Sequence, residues 1–103
     1  MTNEEFNIEV ENSINRSKRV LEKKGREYEG RTDRLEQFHI AGALQRTNPV
    51  EALVNLASKH FIAVAAMAKD PTSYNLKDWN EKLGDIRNYT ILADALLRDM
   101  GAE

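Results

Sequence analysis

Hydrophobic residues recur every three or four positions along most of the chain, which is the spacing of one face of an α-helix. The pattern predicts four helices, at residues 3–24, 33–46, 49–69 and 75–100. The spacing predicts that the core-facing positions of the fourth helix are Trp79, Leu83, Ile86, Thr90, Ala93 and Leu97. No segment alternates polar and apolar residues over a useful length, so the fold class predicted is all-α.

The third helix has the clearest start signal. Asn48 suits the capping position, Pro49 the first helical position, and Glu51 completes a capping box. Pro71 ends the helix. Residues 53–68 are apolar almost all round, which predicts the central and most buried helix of the bundle.

The remaining boundaries rest on capping residues and glycines. Gly25 and Gly30 bracket a predicted break after the first helix. Asp33, three residues before a glutamate, predicts a capping box for the second helix, and Asn75 is placed to cap the fourth. Gly101 is placed to end the fourth helix. Asn3 is a candidate cap for the first helix.

Composition fits one small globular domain, residues 1–103. Hydrophobic residues make up 41% and charged residues 31% of the 103 positions, and the net charge is −2. Bulk charge therefore gives no argument for a nucleic-acid or membrane partner. The longest apolar stretch, residues 61–68, is short for a membrane span. The absence of cysteine excludes disulfides and thiol catalysis and is compatible with a cytoplasmic location.

The length of the fourth helix predicts self-association. At about 1.5 Å per residue it measures roughly 37 Å. A compact domain of this size has a radius of gyration of about 13 Å. Such a helix is expected to protrude or to pack against a second copy, so the predicted architecture is a bundle of about four helices completed by a homo-oligomer.

The fourth helix also carries a line of oxygen-bearing side chains. Glu81, Asp85 and Asn88 follow one another at helical spacing, and we call them the acid-amide stripe. Aligned carboxylates with an amide suit a hard cation such as Mg²⁺, which bridges to phosphate. The other interpretation is a solvated acidic face paired with lysines and arginines of the same helix, and spacing alone leaves it open.

A second polar line lies on the otherwise apolar third helix. Asn55 and Lys59 are four residues apart, and polar groups on a buried helix must find partners. One solution is that they face the acid-amide stripe, with Lys59 paired to Asp85 or bound to a ligand phosphate. The alternative is that Asn55 and Lys59 form the solvent-exposed face of the helix. His60 has no metal-ligand neighbour in its own helix and is interpreted as a packed or hydrogen-bonded histidine.

Cations and an aromatic residue gather at the end of the first helix. Lys24 lies beside further basic residues and close to Tyr28. A ring beside cations can stack on a base while the cations meet phosphates. Cations at a helix C-terminus also favour the helix dipole without any ligand, which is the other interpretation.

These segments occur in an order that resembles the nucleotide modification associated domain 1 family, common in phage and prophage genomes. The resemblance covers residues 15–98 and is carried by EKKGREY at 22–28, DRLEQF at 33–38, PVEAL at 49–53, SKH at 58–60 and EKLGDIRNY at 81–89. That family is in turn distantly similar to the MazG-like all-α nucleoside-triphosphate pyrophosphohydrolases.

The resemblance implies an NTP-pyrophosphatase-like fold and roles for the acid-amide stripe. Glu81 and Asp85 would be the catalytic metal ligands for Mg²⁺, and Asn88 would support them or contact the nucleotide. The chain departs from the enzymes at Lys82, where they carry a second glutamate. It also carries Asn55 and Lys59 on the third helix where the enzymes have acids.

Three functions follow as hypotheses. The first is a phage-type, Mg²⁺-dependent hydrolase of a nucleotide phosphoanhydride, or a degenerate relative of one. The second is a non-catalytic binder that sequesters a host defence signalling nucleotide, using Asn55, Lys59, Asn88, Lys24 and Tyr28. The third is a helical interaction protein without a small ligand. In each case the expected location is the cytoplasm, of the host if the protein is phage-encoded.

Overall fold

The computed structural model describes residues 1–27 and 33–103, and every regular element in these ranges is helical. The helices are α1 (Asn3–Glu27), α2 (Glu36–Leu44), α3 (Pro49–Met67) and α4 (Leu76–Asp99), with a short 3-10 turn at Pro71–Ser73. The predicted all-α class is confirmed. Backbone contacts divide the chain into two compact units, Met1–Thr32 and Asp33–Glu103.

The first unit contains α1. The hydroxyl oxygen of Thr2 accepts the backbone N–H of Glu5 at 3.1 Å, so Thr2 caps a helix that was predicted to begin at an Asn3 cap. The predicted end of the first helix at residue 24 is wrong, because α1 continues through Gly25 to Glu27. The rest of the predicted break, up to Gly30, lies outside the described residues. Acidic residues lie in the first turn and basic residues in the last, which favours the helix dipole at both ends.

In the second unit, α3 packs against both α2 and α4. Phe38 of α2, Leu53 of α3 and Leu96 of α4 form the buried core, each at most 2% exposed. Partly buried hydrophobic residues pack around them, namely Leu35, Val50, Tyr89, Leu92 and Ala93. The core is therefore built from the first half of α3 and the second half of α4, beside the short α2.

Helix α2 is shorter than predicted because a turn precedes it. The carboxylate of Asp33 accepts the backbone N–H of Leu35 at 2.9 Å, which uses this side chain before the helix begins at Glu36. The predicted capping box at Asp33 is therefore wrong. An aspartate that bonds two residues ahead forms a local turn rather than a helix cap.

The chain reverses direction at the α2–α3 corner, residues 42–49. Thr47 N–H donates to the carbonyl of Gly42 at 2.8 Å, and Arg46 N–H donates to that of Ala43 at 3.2 Å. This pair of bonds is the Schellman arrangement, which needs a left-handed residue after the helix. Arg46 fills that position with φ of 56°, where glycine is the usual residue.

The start of α3 follows the predicted signal. The side chain of Asn48 accepts the backbone N–H of Glu51 at 2.9 Å, and Pro49 is the first helical residue. The carboxylate of Glu51 accepts the hydroxyl of Thr47 at 2.7 Å, which ties the helix start to the corner. The predicted cap is confirmed.

Helix α3 is less buried than predicted. Its buried residues are Ala52, Leu53, Ala57 and Met67. Val54, Phe61 and Ile62 are 55%, 51% and 69% exposed. When a helix is apolar on every side, the spacing of its hydrophobic residues no longer shows which face is buried. The prediction from composition therefore overstated the burial of α3.

Among the described residues, α3 is also the helix that is long and apolar enough to cross a membrane by length and composition, with a mean hydropathy of 1.3. Core helices of soluble proteins pass the same test. Asn55, Lys59 and His60 lie near its middle, where a spanning helix rarely carries polar groups.

The connection into α4 is held by aromatic side chains. The indole N–H of Trp79 donates to the carbonyl of Pro71 at 2.9 Å, and the ring of Tyr74 meets the indole edge-on at 6.3 Å. Asn75 accepts the backbone N–H of Asp78 at 2.8 Å, which confirms the predicted cap of α4. The helix ends where Gly101 takes a φ of 83°.

Candidate functional site

The acid-amide stripe lies along α4 and becomes more buried from its first residue to its last. Glu81 is exposed, the side chain of Asp85 is 35% exposed, and Asn88 is 8% exposed. The stripe is thus not a uniformly solvated acidic face. Its last residue, Asn88, is buried, where polar groups need partners.

His60 of α3 is the partner of Asp85. Its Nδ1 lies 3.4 Å from Asp85 Oδ2, and its side chain is 17% exposed. The pair is ionic when the imidazole carries a second proton. The predicted pairing of Asp85 with Lys59 is not formed, and Lys59 is exposed without an ion pair among the described residues. Neighbouring residues differ by about 100° around a helix, so His60 and Lys59 leave α3 in different directions.

The ring of Tyr89 completes what we call the His60–Asp85–Tyr89 cluster. The centroids of the His60 and Tyr89 rings are 5.1 Å apart, with the planes tilted by 37°. Tyr89 follows Asp85 by one turn of α4, so both project toward α3. Burial, and then the Asp85 carboxylate, raise the pKa of Tyr89 above its ordinary value of 10.0. Tyr89 is therefore a neutral phenol at physiological pH and can donate a hydrogen bond.

Asn88 carries a buried side-chain carbonyl oxygen. Within the part of the chain that the structure describes, this Oδ1 has no hydrogen-bond partner, and the residue is 8% exposed. Leaving a buried acceptor without a hydrogen bond costs about 1–3 kcal/mol of stability. A buried acceptor of this kind is open to a hydrogen bond from a water molecule or from a ligand.

Asn55, another predicted binding residue, is not assembled with this cluster. The amide of Asn55 donates to the side-chain oxygen of Gln45 at 3.1 Å, so it faces the α2–α3 corner rather than the stripe. Lys24 is exposed on α1, in the other unit. Tyr28 lies outside the described residues.

The side chains around Glu81 and Asp85 do not match a two-metal site. Such sites hold their ions with several carboxylates, whereas Asp85 faces an imidazole. Among the described residues, the one group of three histidine or acidic ligands within 4.8 Å of one another is Asp33, His39 and Asp99. All three are exposed, and His39 Nε2 lies 3.6 Å from Asp99 Oδ2. That group is separate from the acid-amide stripe.

The sequence predicted His60 as a packed or hydrogen-bonded histidine and did not single out Tyr89 as a site residue. The spacing of Asp85 and Tyr89 on α4 was a usable signal, since residues four apart share a helix face. The approach of His60 depends on how α3 and α4 are rotated against each other. That rotation is a property of the packed helix pair and leaves no local mark in the sequence.

Comparisons with protein-family models, with curated proteins and with solved structures each return no match for this chain.

Proposed function

We propose that this chain binds a nucleotide or nucleotide-derived small molecule at the His60–Asp85–Tyr89 cluster, without hydrolysing it. The observation that carries the proposal is the pairing of Asp85 with His60 at 3.4 Å. This contact places an imidazole where a hydrolase would need another acid. The nucleotide class comes from the resemblance to the phage-associated family and its NTP-pyrophosphatase-like relatives.

The cluster offers the contacts that a heteroaromatic base requires. Asp85 supplies acceptor oxygens for ring and exocyclic N–H groups, and such carboxylate contacts read base edges in nucleic-acid complexes. Tyr89 supplies a neutral hydroxyl and, with His60, an aromatic surface for stacking. Lys59 is exposed one position before His60, about 100° around α3 from it, and its long side chain would have to reach round the helix to meet a phosphate. In an infected cell, such a binder would sequester a host signalling nucleotide in the cytoplasm.

A degenerate pyrophosphohydrolase is the second candidate. It is favoured by one observation, that Glu81 and Asp85 lie one turn apart on α4 with Glu81 exposed. Two carboxylates at this spacing can share one divalent cation. The two proposals differ in product formation and in whether binding needs a metal.

A panel of linear and cyclic nucleotides tests both, by calorimetry in EDTA and again with Mg²⁺ or Mn²⁺. The binder predicts heat of binding in EDTA and an unchanged nucleotide recovered afterwards. Asp85→Asn is expected to weaken binding at least tenfold, since a charge-assisted hydrogen bond contributes about 1.5–3 kcal/mol. The matched control is Asp94→Asn on the same helix, because Asp94 is exposed and paired with Arg98.

Three outcomes separate the hypotheses. Release of pyrophosphate with Mg²⁺ or Mn²⁺ rejects the non-catalytic proposal in favour of the hydrolase. No heat with any nucleotide rejects both and leaves the helical interaction protein. Equal weakening by Asp85→Asn and Asp94→Asn would place the ligand elsewhere on the chain.

A further inference from the structure

The outward face of α3 repeats with the spacing of a coiled-coil seam. Exposed residues follow one another at alternating steps of four and three positions, and we call this set the outer seam: Glu51, Asn55, Ser58, Ile62, Ala65 and Lys69. Alternating steps of this kind keep one line of residues facing a second helix. Val54 and Phe61 widen the face along one edge, both more than half exposed.

The seam has opposite charges at its two ends, and uncharged residues lie between them: Asn55, whose amide donates to Gln45, then Ser58, Ile62 and Ala65. Glu51 lies in the first turn of α3, and Lys69 lies two residues beyond its last residue. Ser58 and Ala65 are small enough to let two helices approach closely. A seam of this composition therefore fits a neighbouring helix whose charges run the opposite way.

We infer that the outer seam is the surface through which two copies of this chain pair, with their α3 helices antiparallel. In that register Glu51 meets the partner's Lys69, and Ser58 meets the partner's Ile62. Every seam residue then has a counterpart, because the two-fold axis falls at the middle of the seam, beside position 60. A parallel pair would instead place Glu51 against the partner's Glu51, which repels.

The same surface explains why so apolar a helix is only 22% buried within one chain. A second α3 would cover Ile62, Val54 and Phe61, whose exposure is costly to leave in water. The seam points away from the side of α3 that carries His60, which lies about 180° around the helix from it. The inference therefore stands apart from nucleotide binding.

Light scattering of the intact chain tests the pairing. The expected mass is twice 11.8 kDa, and Ile62→Glu is expected to reduce it to 11.8 kDa while the helical circular dichroism is kept. Leu44→Glu is the matched control, since Leu44 is an 81% exposed apolar residue on α2 outside the seam, and it should leave the mass doubled. A monomeric mass at every concentration overturns the inference. It does so whether the seam is then covered by α1 or binds to a phosphatidylcholine vesicle.

Cysteine cross-linking fixes the orientation and does not depend on the Ile62→Glu variant folding. The chain has no cysteine, so introduced thiols are unique. Glu51→Cys combined with Lys69→Cys should give a disulfide-linked dimer on oxidation, and each substitution alone should give none. Positions 51 and 69 of one chain are about 27 Å apart along the helix, so the double variant cannot close on itself. A cross-link from Glu51→Cys alone would show a parallel pair and overturn the proposal.

Discussion

Gly42 lies where α2 meets the start of α3, and a methyl group has no room there. A Cβ atom on Gly42 would lie 3.0 Å from the nitrogen of Pro49 and from the carbonyl oxygen of Thr47, and 3.1 Å from the carbonyl carbon of Asn48. All three are backbone atoms, so no side chain can rotate away. Gly42→Ala therefore requires the backbone of the α2–α3 corner to shift by a few tenths of an ångström, at a cost of about 1–3 kcal/mol for overpacking.

Gly84 supplies the matched comparison on α4. The atom that a Cβ there would meet is Nη2 of Arg87 at 3.6 Å, which is an ordinary contact. Both glycines lie inside helices, so alanine gains about 1 kcal/mol of helix propensity at either position. Gly84→Ala should therefore be stabilised by about 1 kcal/mol. The difference between the two variants isolates the steric cost at the corner, because the propensity gain cancels.

Urea unfolding followed by far-UV circular dichroism, at one protein concentration, measures both variants. With an m-value of about 1–2 kcal/mol per molar, Gly84→Ala should raise the midpoint by about 0.5–1 M. Gly42→Ala should lie below Gly84→Ala by the equivalent of about 1–3 kcal/mol. If Gly42→Ala is as stable as Gly84→Ala, the corner does not pack as closely as the structure places it, and the reasoning fails.

Three further predictions concern single residues. Arg46→Gly should stabilise the chain by about 1 kcal/mol, since it relieves a left-handed residue, and a lower urea midpoint would contradict this. Asn48→Ala should lower the free energy of unfolding by about 1 kcal/mol, because the hydrogen bond from the Glu51 backbone N–H is lost. Asn48→Ser should retain most of that stability in the same assay, because serine also caps helices. The pKa of Tyr89 is raised above 10.0 in the folded chain, so its phenol ionises first in the unfolded chain. The free energy of unfolding should therefore fall as the pH rises past about 10 and on through the folded pKa. Tyr89→Phe should lack this part of the decline in urea titrations between about pH 9 and about pH 11, and an identical decline would refute the assignment.

Capping residues in the sequence predicted correctly where two of the helices begin. Asn48 and Asn75 each cap a helix through a bond to a residue three positions ahead, and both predictions hold. Asp33 offered the same signal but bonds two positions ahead, which moves the start of α2 to Glu36. The difference between a cap and a turn at Asp33 depends on the backbone around it, which a spacing rule does not contain.

The candidate site was predictable in part. The acid-amide stripe was read from spacing, and Asp85 does carry a contact across to α3. The choice between Lys59 and His60 as its partner was decided by the rotation of α3, which the apolar composition of that helix does not reveal. The roles of the stripe in metal or nucleotide binding stay predictions.

The order of the helices along the chain has a consequence for how the second unit assembles. Helix α3 packs against α2 and α4, its two neighbours in sequence, and contacts between sequence neighbours form quickly. Phe38 and Leu53 can meet as soon as the α2–α3 corner has turned. Their cover, Leu96, arrives only with the last turns of α4. We expect α2 and α3 to form an early helical hairpin whose core residues remain in contact with water until α4 docks. The cooperative step of folding is then the docking of α4 rather than the formation of α3, the most apolar helix.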